Sequence, residues 1–219
     1  MDEMYDYRRT CYCPELIRVK ERKVELAAII KEEHPGAEDM HNFISDNSRK
    51  YKRMFMQVYN AKCAYCGVTI DLNPLPVFEI DHFLYEKAPI FKTKKEAGYI
   101  ENLVFACHDC NHRKSSFWID EDNFAKLYPD EEAIKSTFVR DEDYYIRISE
   151  GEKNNPVIVN FYEKLQLGSE LHRLDYLLMS VIGMKRKHQA NETLGAGLGK
   201  ILDVLITKRN TASVIEEKG

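Results

Sequence analysis

The pattern of apolar and polar positions predicts a mainly helical chain with a short strand-containing region in the middle. The predicted helices span residues 14–33, 39–59, 156–167, 169–190 and 201–207. The first has Pro14 in its first turn and ends before the stop signal His34-Pro35-Gly36. The glycine-rich segment 195–200 lacks the spacing of a phosphate-binding loop, so it predicts a flexible link into the last helix.

The middle of the chain has the signals of strands and turns. The apolar run 76–80 predicts one strand, and the alternation at 144–148 predicts another. The turn-rich segment 71–76 is the predicted tip of a β-hairpin. Residues 84–101 are expected to form a loop, and the acidic segment 118–143 is expected to supply solvated helix ends.

Two Cys-x2-Cys pairs indicate a metal site. Cys63 and Cys66 form the first pair, and Cys107 and Cys110 form the second. Four thiolates on two tight turns match the tetrahedral geometry of structural zinc. A histidine near the second pair (His108 or His112) is an alternative ligand, but four cysteines suffice for the site.

The interval between the pairs indicates a further role. It is 40 residues long, whereas a minimal zinc ribbon has roughly 15–20. Asp81-His82 lies inside it, directly after the strand predicted at 76–80, and a helix is predicted to begin near Asn111. This predicts a strand, a loop and a helix that one metal ion holds together.

Four elements, in order, carry a resemblance to a known family. Cys-x2-Cys, Asp-His, Asn-Leu and Cys-x2-Cys-Asn-x2-Lys resemble the HNH endonucleases, which have a ββα-metal core. The resemblance covers about a quarter of the chain. It implies that His82 is the first H of the motif and Asn102 the N, with Asn111 in place of the last H. After His82 the chain departs from the family, which often has Pro and a basic residue there.

Chemistry and resemblance together give each site residue an expected role. A neutral imidazole accepts a proton near pH 7, so His82 is the expected general base. Asp81 and Asn111 offer the oxygen ligands that Mg²⁺ prefers. The resemblance implies that Asn102 holds the loop that orients His82. Asn102 as a simple turn residue and Asn111 as a simple helix cap remain alternatives.

Three basic residues are the candidates for substrate contact. Lys114 matches the lysine of the family motif, and Arg113 precedes it. Lys87 lies in the lysine-containing loop at 84–101, which fits substrate binding and an ordinary solvated loop equally well. On the predicted helix 39–59, Arg49 and its basic neighbours fit either a solvated face or contact with phosphates.

Composition and charge set the protein class. The net charge is −4, but residues 49–117 carry a balance of +4 and the remainder −8, which mildly supports a phosphodiester substrate. No run approaches the roughly 20 apolar residues of a membrane span. The acidic start, Met1–Tyr7, lacks the apolar segment of a signal peptide. We therefore expect a cytoplasmic protein without a membrane partner.

The sequence predicts an α+β fold in which a small ββα-metal core, held together by zinc, is embedded in a mainly helical chain. The expected regions are a helical part at 1–59, the nuclease core at 60–118 and a mainly helical part at 119–219. The expected function is metal-dependent hydrolysis of DNA or RNA. The alternative is a zinc knuckle that binds nucleic acid or protein without cutting it. More loosely, the chain is similar to the HNH partner in Septu-type anti-phage systems, which implies an ATPase partner.

Overall fold

A computed structural model describes residues 5–46 and 50–216. Within these ranges, ten α-helices and two small antiparallel sheets confirm the predicted α+β class. The helices are α1 (Val19–Glu33), α2 (Met40–Ile44), α3 (Tyr51–Val58), α4 (Lys94–Ala97), α5 (His108–Lys114), α6 (Glu121–Leu127), α7 (Ile134–Thr137), α8 (Pro156–Lys164), α9 (Glu170–Lys187) and α10 (Glu192–Glu216). The strands are β1 (Phe78–His82), β2 (Leu103–Cys107), β3 (Phe138–Arg140) and β4 (Ile146–Ile148).

The ββα unit consists of β1, β2 and α5. The two strands pair antiparallel from Phe78 opposite Cys107 to His82 opposite Leu103, and α5 follows β2 without a gap. The strand predicted at 76–80 therefore begins two residues later and includes Asp81 and His82. The predicted hairpin tip at 71–76 is wrong, because this segment precedes β1. The connection between the paired strands is 83–102, which contains α4.

The predicted helices have different bounds in the structure. The first begins at Val19, after a left-handed Arg18 with φ of 52°, and not at Pro14. The helix predicted at 39–59 is two helices, α2 and α3. Arg49, predicted on its basic face, lies outside the described residues. Helix α9 matches the prediction at 169–190 to within three residues.

The flexible link predicted at 195–200 is wrong, because these residues belong to the 25-residue helix α10. Glycine disfavours a helix by about 1 kcal/mol per residue relative to alanine, and three glycines occur here. Packing along α9 compensates, with Leu198 buried and the Arg209 guanidinium 2.5 Å from Asp175. A second contact joins Arg209 to Asn73 at 2.9 Å, so α10 also reaches the segment that precedes β1.

One hydrophobic core extends from Tyr7 to Leu167 and includes the hairpin, the cysteines and helices on both sides. Arg8 is completely buried in it and pairs with Asp6 at 2.8 Å. The same guanidinium donates to the carbonyls of Ala64 and Pro129 at 2.6 and 3.0 Å. The N-terminal segment thus packs directly on the first cysteine turn. The division at residues 59 and 118 remains a prediction.

Among the described residues, no helix combines the length and the apolar character needed to cross a lipid bilayer.

Candidate active site and metal centre

The four predicted zinc ligands meet at one buried point. The sulfur atoms of Cys63, Cys66, Cys107 and Cys110 all lie within 4.8 Å of one another, and Cys66 Sγ is 3.8 Å from Cys107 Sγ. Tetrahedral zinc with Zn–S bonds of about 2.3 Å separates its sulfur ligands by about 3.8 Å. The donor set and its spacing therefore fit structural zinc.

Local backbone structure brings the two cysteine pairs together. In the first turn, Gly67 has φ of 82°, and a Cβ there would lie 2.9 Å from the Arg8 backbone, so only glycine fits. The Ala64 N–H donates to the Phe105 carbonyl at 2.8 Å, which joins this turn to β2. The second pair lies where β2 ends and α5 begins, so the cluster fixes the hairpin to its helix.

The electrostatics of the cluster also fit a bound cation. Burial raises the pKa of the Cys66 thiol well above its usual value, because a thiolate loses its hydration inside the protein. Four thiolates cannot remain ionised side by side in such a place without a compensating positive charge. Zn²⁺ would supply that charge, with Cys63, Cys66, Cys107 and Cys110 as its ligands.

His82, the predicted general base, lies at the end of β1 with its side chain 12% exposed. Its ring stacks on that of His41, with 4.4 Å between centroids and 29° between planes. Burial lowers the pKa of His82 to about 4, and the neighbouring His41 contributes to this shift. The imidazole is therefore neutral at pH 7 and has a lone pair available for a proton.

His41 belongs to α2, far from the motif residues in sequence, and sequence analysis gave it no role. Its Nε2 lies 3.2 Å from the carbonyl oxygen of Ile80, so it contacts β1 as well as the His82 ring. A lone histidine on a short helix carries no signal of this position. Only the packing of α2 against the strand reveals it.

Asn102 makes the contacts expected of a residue that holds the loop after His82. Its side-chain oxygen accepts from the Leu84 N–H at 2.9 Å, and its nitrogen donates to the Leu84 and Ala97 carbonyls at 2.9 Å each. The Phe83 N–H also donates to the Asn102 carbonyl at 2.7 Å. Asn102 thereby fixes both ends of the connection 83–102.

Both carboxylate oxygens of Asp81 have partners inside the protein. Its Oδ1 lies 3.2 Å from Lys114 Nζ, and its Oδ2 accepts from the Tyr65 hydroxyl at 2.5 Å. Burial raises the pKa of Asp81 to about 6 although Lys114 opposes the shift. Lys114 is itself fully buried and donates to the His82 carbonyl at 3.0 Å. The predicted contacts of Asp81 with Mg²⁺ and of Lys114 with phosphate remain predictions.

Asn111 lies beside a carboxylate that sequence analysis did not assign. Its Nδ2 donates to Glu79 Oε2, and Glu79 Oε1 lies 2.9 Å from His108 Nδ1. The Glu79 side chain is 40% exposed, unlike that of Asp81. The signal was present in the sequence, because alternate residues of a strand share a face and Glu79 is two residues before Asp81.

The HNH endonuclease family model matches residues 63–117. We call these residues the HNH region. They form about a quarter of the chain and contain all four cysteines, His82, Asn102 and Asn111. The match indicates nuclease chemistry. Neither the search of curated proteins nor that of solved structures found a match.

The other two predicted substrate contacts, Arg113 and Lys87, lie on different elements of the HNH region. Arg113 is on α5, and its guanidinium donates to Gln166 Oε1. Lys87 is exposed on the connection 83–102. These positions do not show whether Arg113 or Lys87 binds substrate, so both contacts remain predictions.

Cys107→Ser is expected to lose zinc and to lower the midpoint of thermal unfolding, because metal binding energy at a structural site is folding energy. The measurement is elemental analysis and calorimetry of the purified variant. Cys11→Ser is the matched control, since Cys11 is exposed and outside the cluster. Wild-type protein without bound zinc, with reactive thiols at all four positions, would contradict the assignment.

Proposed function

We propose that this chain is a metal-dependent endonuclease that hydrolyses phosphodiester bonds of nucleic acid. The observation that carries the proposal is the family match at 63–117. It is supported by His82, which is neutral and packed against His41 at the motif position. Phosphodiester hydrolysis needs a water nucleophile, stabilisation of charge on the phosphate and help for the leaving oxygen. The residues of the HNH region can supply these in turn.

His82 acts as the general base in this proposal. Its low pKa keeps the imidazole neutral, so it can accept the proton of a water molecule that attacks phosphorus. Three contacts restrain it: the His41 ring, the Lys114 ammonium on its carbonyl and the Asn102-bound loop that follows. Restraint of the base supports catalysis, because a well-oriented group loses little entropy in the transition state.

Asp81 and Asn111 are the proposed ligands of a catalytic Mg²⁺ or another divalent ion, and Glu79 adds a more exposed carboxylate next to Asn111. These are oxygen donors of the kind that Mg²⁺ prefers. In the described arrangement the Lys114 ammonium contacts Asp81 Oδ1. A divalent ion that binds this oxygen would therefore displace the ammonium. When bound, such an ion stabilises the charge on the phosphate and on the leaving oxygen.

Three basic residues of the HNH region are the proposed substrate contacts. Lys87 is exposed, Arg113 lies on the helix that carries Asn111, and Lys114 contacts Asp81 and the His82 carbonyl. Lys114 would reach a phosphate only if it left Asp81. The local excess of positive charge favours a polyanionic substrate.

One observation favours the alternative, a zinc knuckle that binds nucleic acid or protein without cutting it. Both carboxylate oxygens of Asp81 already have partners within the fold, as a purely structural residue would. The stacked rings of His41 and His82 and the exposed Glu79 beside Asn111 favour the enzyme, because a passive knuckle needs neither.

We further propose that the chain acts in the cytoplasm as an effector of an anti-phage defence complex, together with a larger protein such as an ATPase. The support is the helical C-terminal half, which is larger than a zinc-bound nuclease core needs. Part of the acidic segment 120–143 is used internally, since Asp130 pairs with Lys23 and Asp120 caps α6. Asp122 and Glu142 are exposed and available to a partner.

His82→Ala is expected to reduce cleavage by roughly 10²–10⁴-fold, the usual contribution of general-base catalysis. Zinc content and nucleic-acid affinity are expected to stay unchanged. The assay compares plasmid, single-stranded DNA and transfer RNA, with and without Mg²⁺. His188→Ala, at an exposed histidine after α9, is the matched control and is expected to cut as the wild type does. Equal cleavage by His82→Ala would refute the proposed base, and tight binding without any cleavage would support the knuckle.

The partner proposal predicts that tagged protein, purified from its native host, elutes in a complex with a second polypeptide of fixed stoichiometry. Reversing the charge of Asp122 and Glu142 is expected to reduce the amount of that polypeptide, since both acidic side chains are exposed. Light scattering and quantitative mass spectrometry give the measurement. Recovery of this chain alone, as a monomer, would contradict the proposal.

A further inference from the structure

An apolar cavity is lined by a residue of the loop that follows the proposed base. Its volume is about 490 Å³, and its walls include Leu84, Ile90, Trp118 and Phe124. Leu84 is two residues after His82, so their Cα atoms are at most about 7 Å apart. The cavity therefore begins within a short distance of the proposed base, although Trp118 lies just outside the HNH region.

Two aromatic side chains line the cavity, and each contacts a further aromatic ring. Trp118 is 42% exposed, and its ring meets that of Tyr85 edge-on at 6.4 Å. Phe124 packs edge-on against Phe83 at 5.3 Å, and Phe83 directly follows His82. The Leu84 backbone is held at both its N–H and its carbonyl by Asn102. The same contacts that restrain the loop after His82 thus shape this cavity.

The charge of the lining side chains affects which chemical groups can enter the cavity. Asp120 and Glu121 line the cavity, whereas no lysine or arginine within 5–46 or 50–216 does. Two carboxylates disfavour a phosphate, whereas a nucleobase is neutral, planar and stacks well on an exposed indole. Base–aromatic stacking contributes about 1–3 kcal/mol per base and tolerates any base.

We propose that this cavity binds an unstacked nucleobase of the substrate against Trp118, next to the phosphate that His82 addresses. The inference rests on the proposed function and narrows its substrate to single-stranded or locally unpaired nucleic acid. A base inside a regular duplex is stacked on both faces and cannot enter the cavity. The phosphates stay outside the cavity, away from its acidic rim.

The chain has one tryptophan, so its fluorescence reports on this cavity alone. Zinc-loaded protein without Mg²⁺ is titrated with oligothymidylate and with an abasic oligomer of equal length and charge. Oligothymidylate is expected to quench the emission of Trp118 strongly, whereas the abasic oligomer and a blunt duplex leave it nearly unchanged. Equal quenching by the oligothymidylate and the abasic oligomer would overturn the proposal. So would no quenching at all, the result expected if the cavity receives a protein side chain.

Binding of labelled oligothymidylate by Trp118 variants completes the test. Trp118→Ala is expected to weaken binding roughly 5- to 150-fold, the equivalent of one stacked base. Trp118→Phe is expected to recover most of the affinity, because a phenyl ring also stacks. Tyr144→Ala is the control, since this aromatic is 45% exposed on the turn between β3 and β4. Unchanged affinity of Trp118→Ala would overturn the proposal.

The outcomes also separate this inference from the nuclease proposal. Quenching and weaker binding by Trp118→Ala, without cleavage by the wild type, would retain the base site and reject the enzyme. Cleavage by the wild type, with Trp118→Ala binding and cutting equally well, would reject only the base site.

Discussion

The meeting of four buried cysteine sulfurs is the constraint on which the rest of this structure depends. It joins the first cysteine turn to the junction of β2 and α5 across an interval of 40 residues. Because β1 pairs with β2 in a fixed register, closing that interval also fixes where His82 lies. The zinc that this donor set fits would take no part in the reaction, yet the position of the base would follow from it.

Around this centre, buried polar contacts connect the strand to its helix and its loop. The Lys114 ammonium contacts both Asp81 and the His82 carbonyl, and Tyr65 from the first cysteine turn donates to the same carboxylate. Such groups are costly to bury unless all are paired. The pairing keeps β1, α5 and the cysteine turn in one arrangement and leaves His82 and Glu79 as the more accessible polar groups.

The sequence was most informative where the chemistry is local. Cysteine spacing predicted the metal cluster, and motif order predicted that Asn102 and His82 belong to one unit. His41 was beyond prediction, because its contact with His82 arises from the packing of helix α2 on a strand forty residues away. The glycines of α10 predicted a flexible link, which is wrong because packing on α9 overrides their low helix propensity. The hairpin tip was misplaced because turn residues alone do not say which strands pair.

The central claim is that His82 activates a water molecule for attack on phosphorus. Cleavage of a sensitive substrate in ¹⁸O-labelled water, followed by mass spectrometry of the products, tests it most directly. The account predicts one solvent oxygen in each new terminal phosphate, formed by the wild type and almost absent from reactions of His82→Ala. Terminal phosphates without solvent oxygen, or labelled products formed equally fast by His82→Ala, would contradict it.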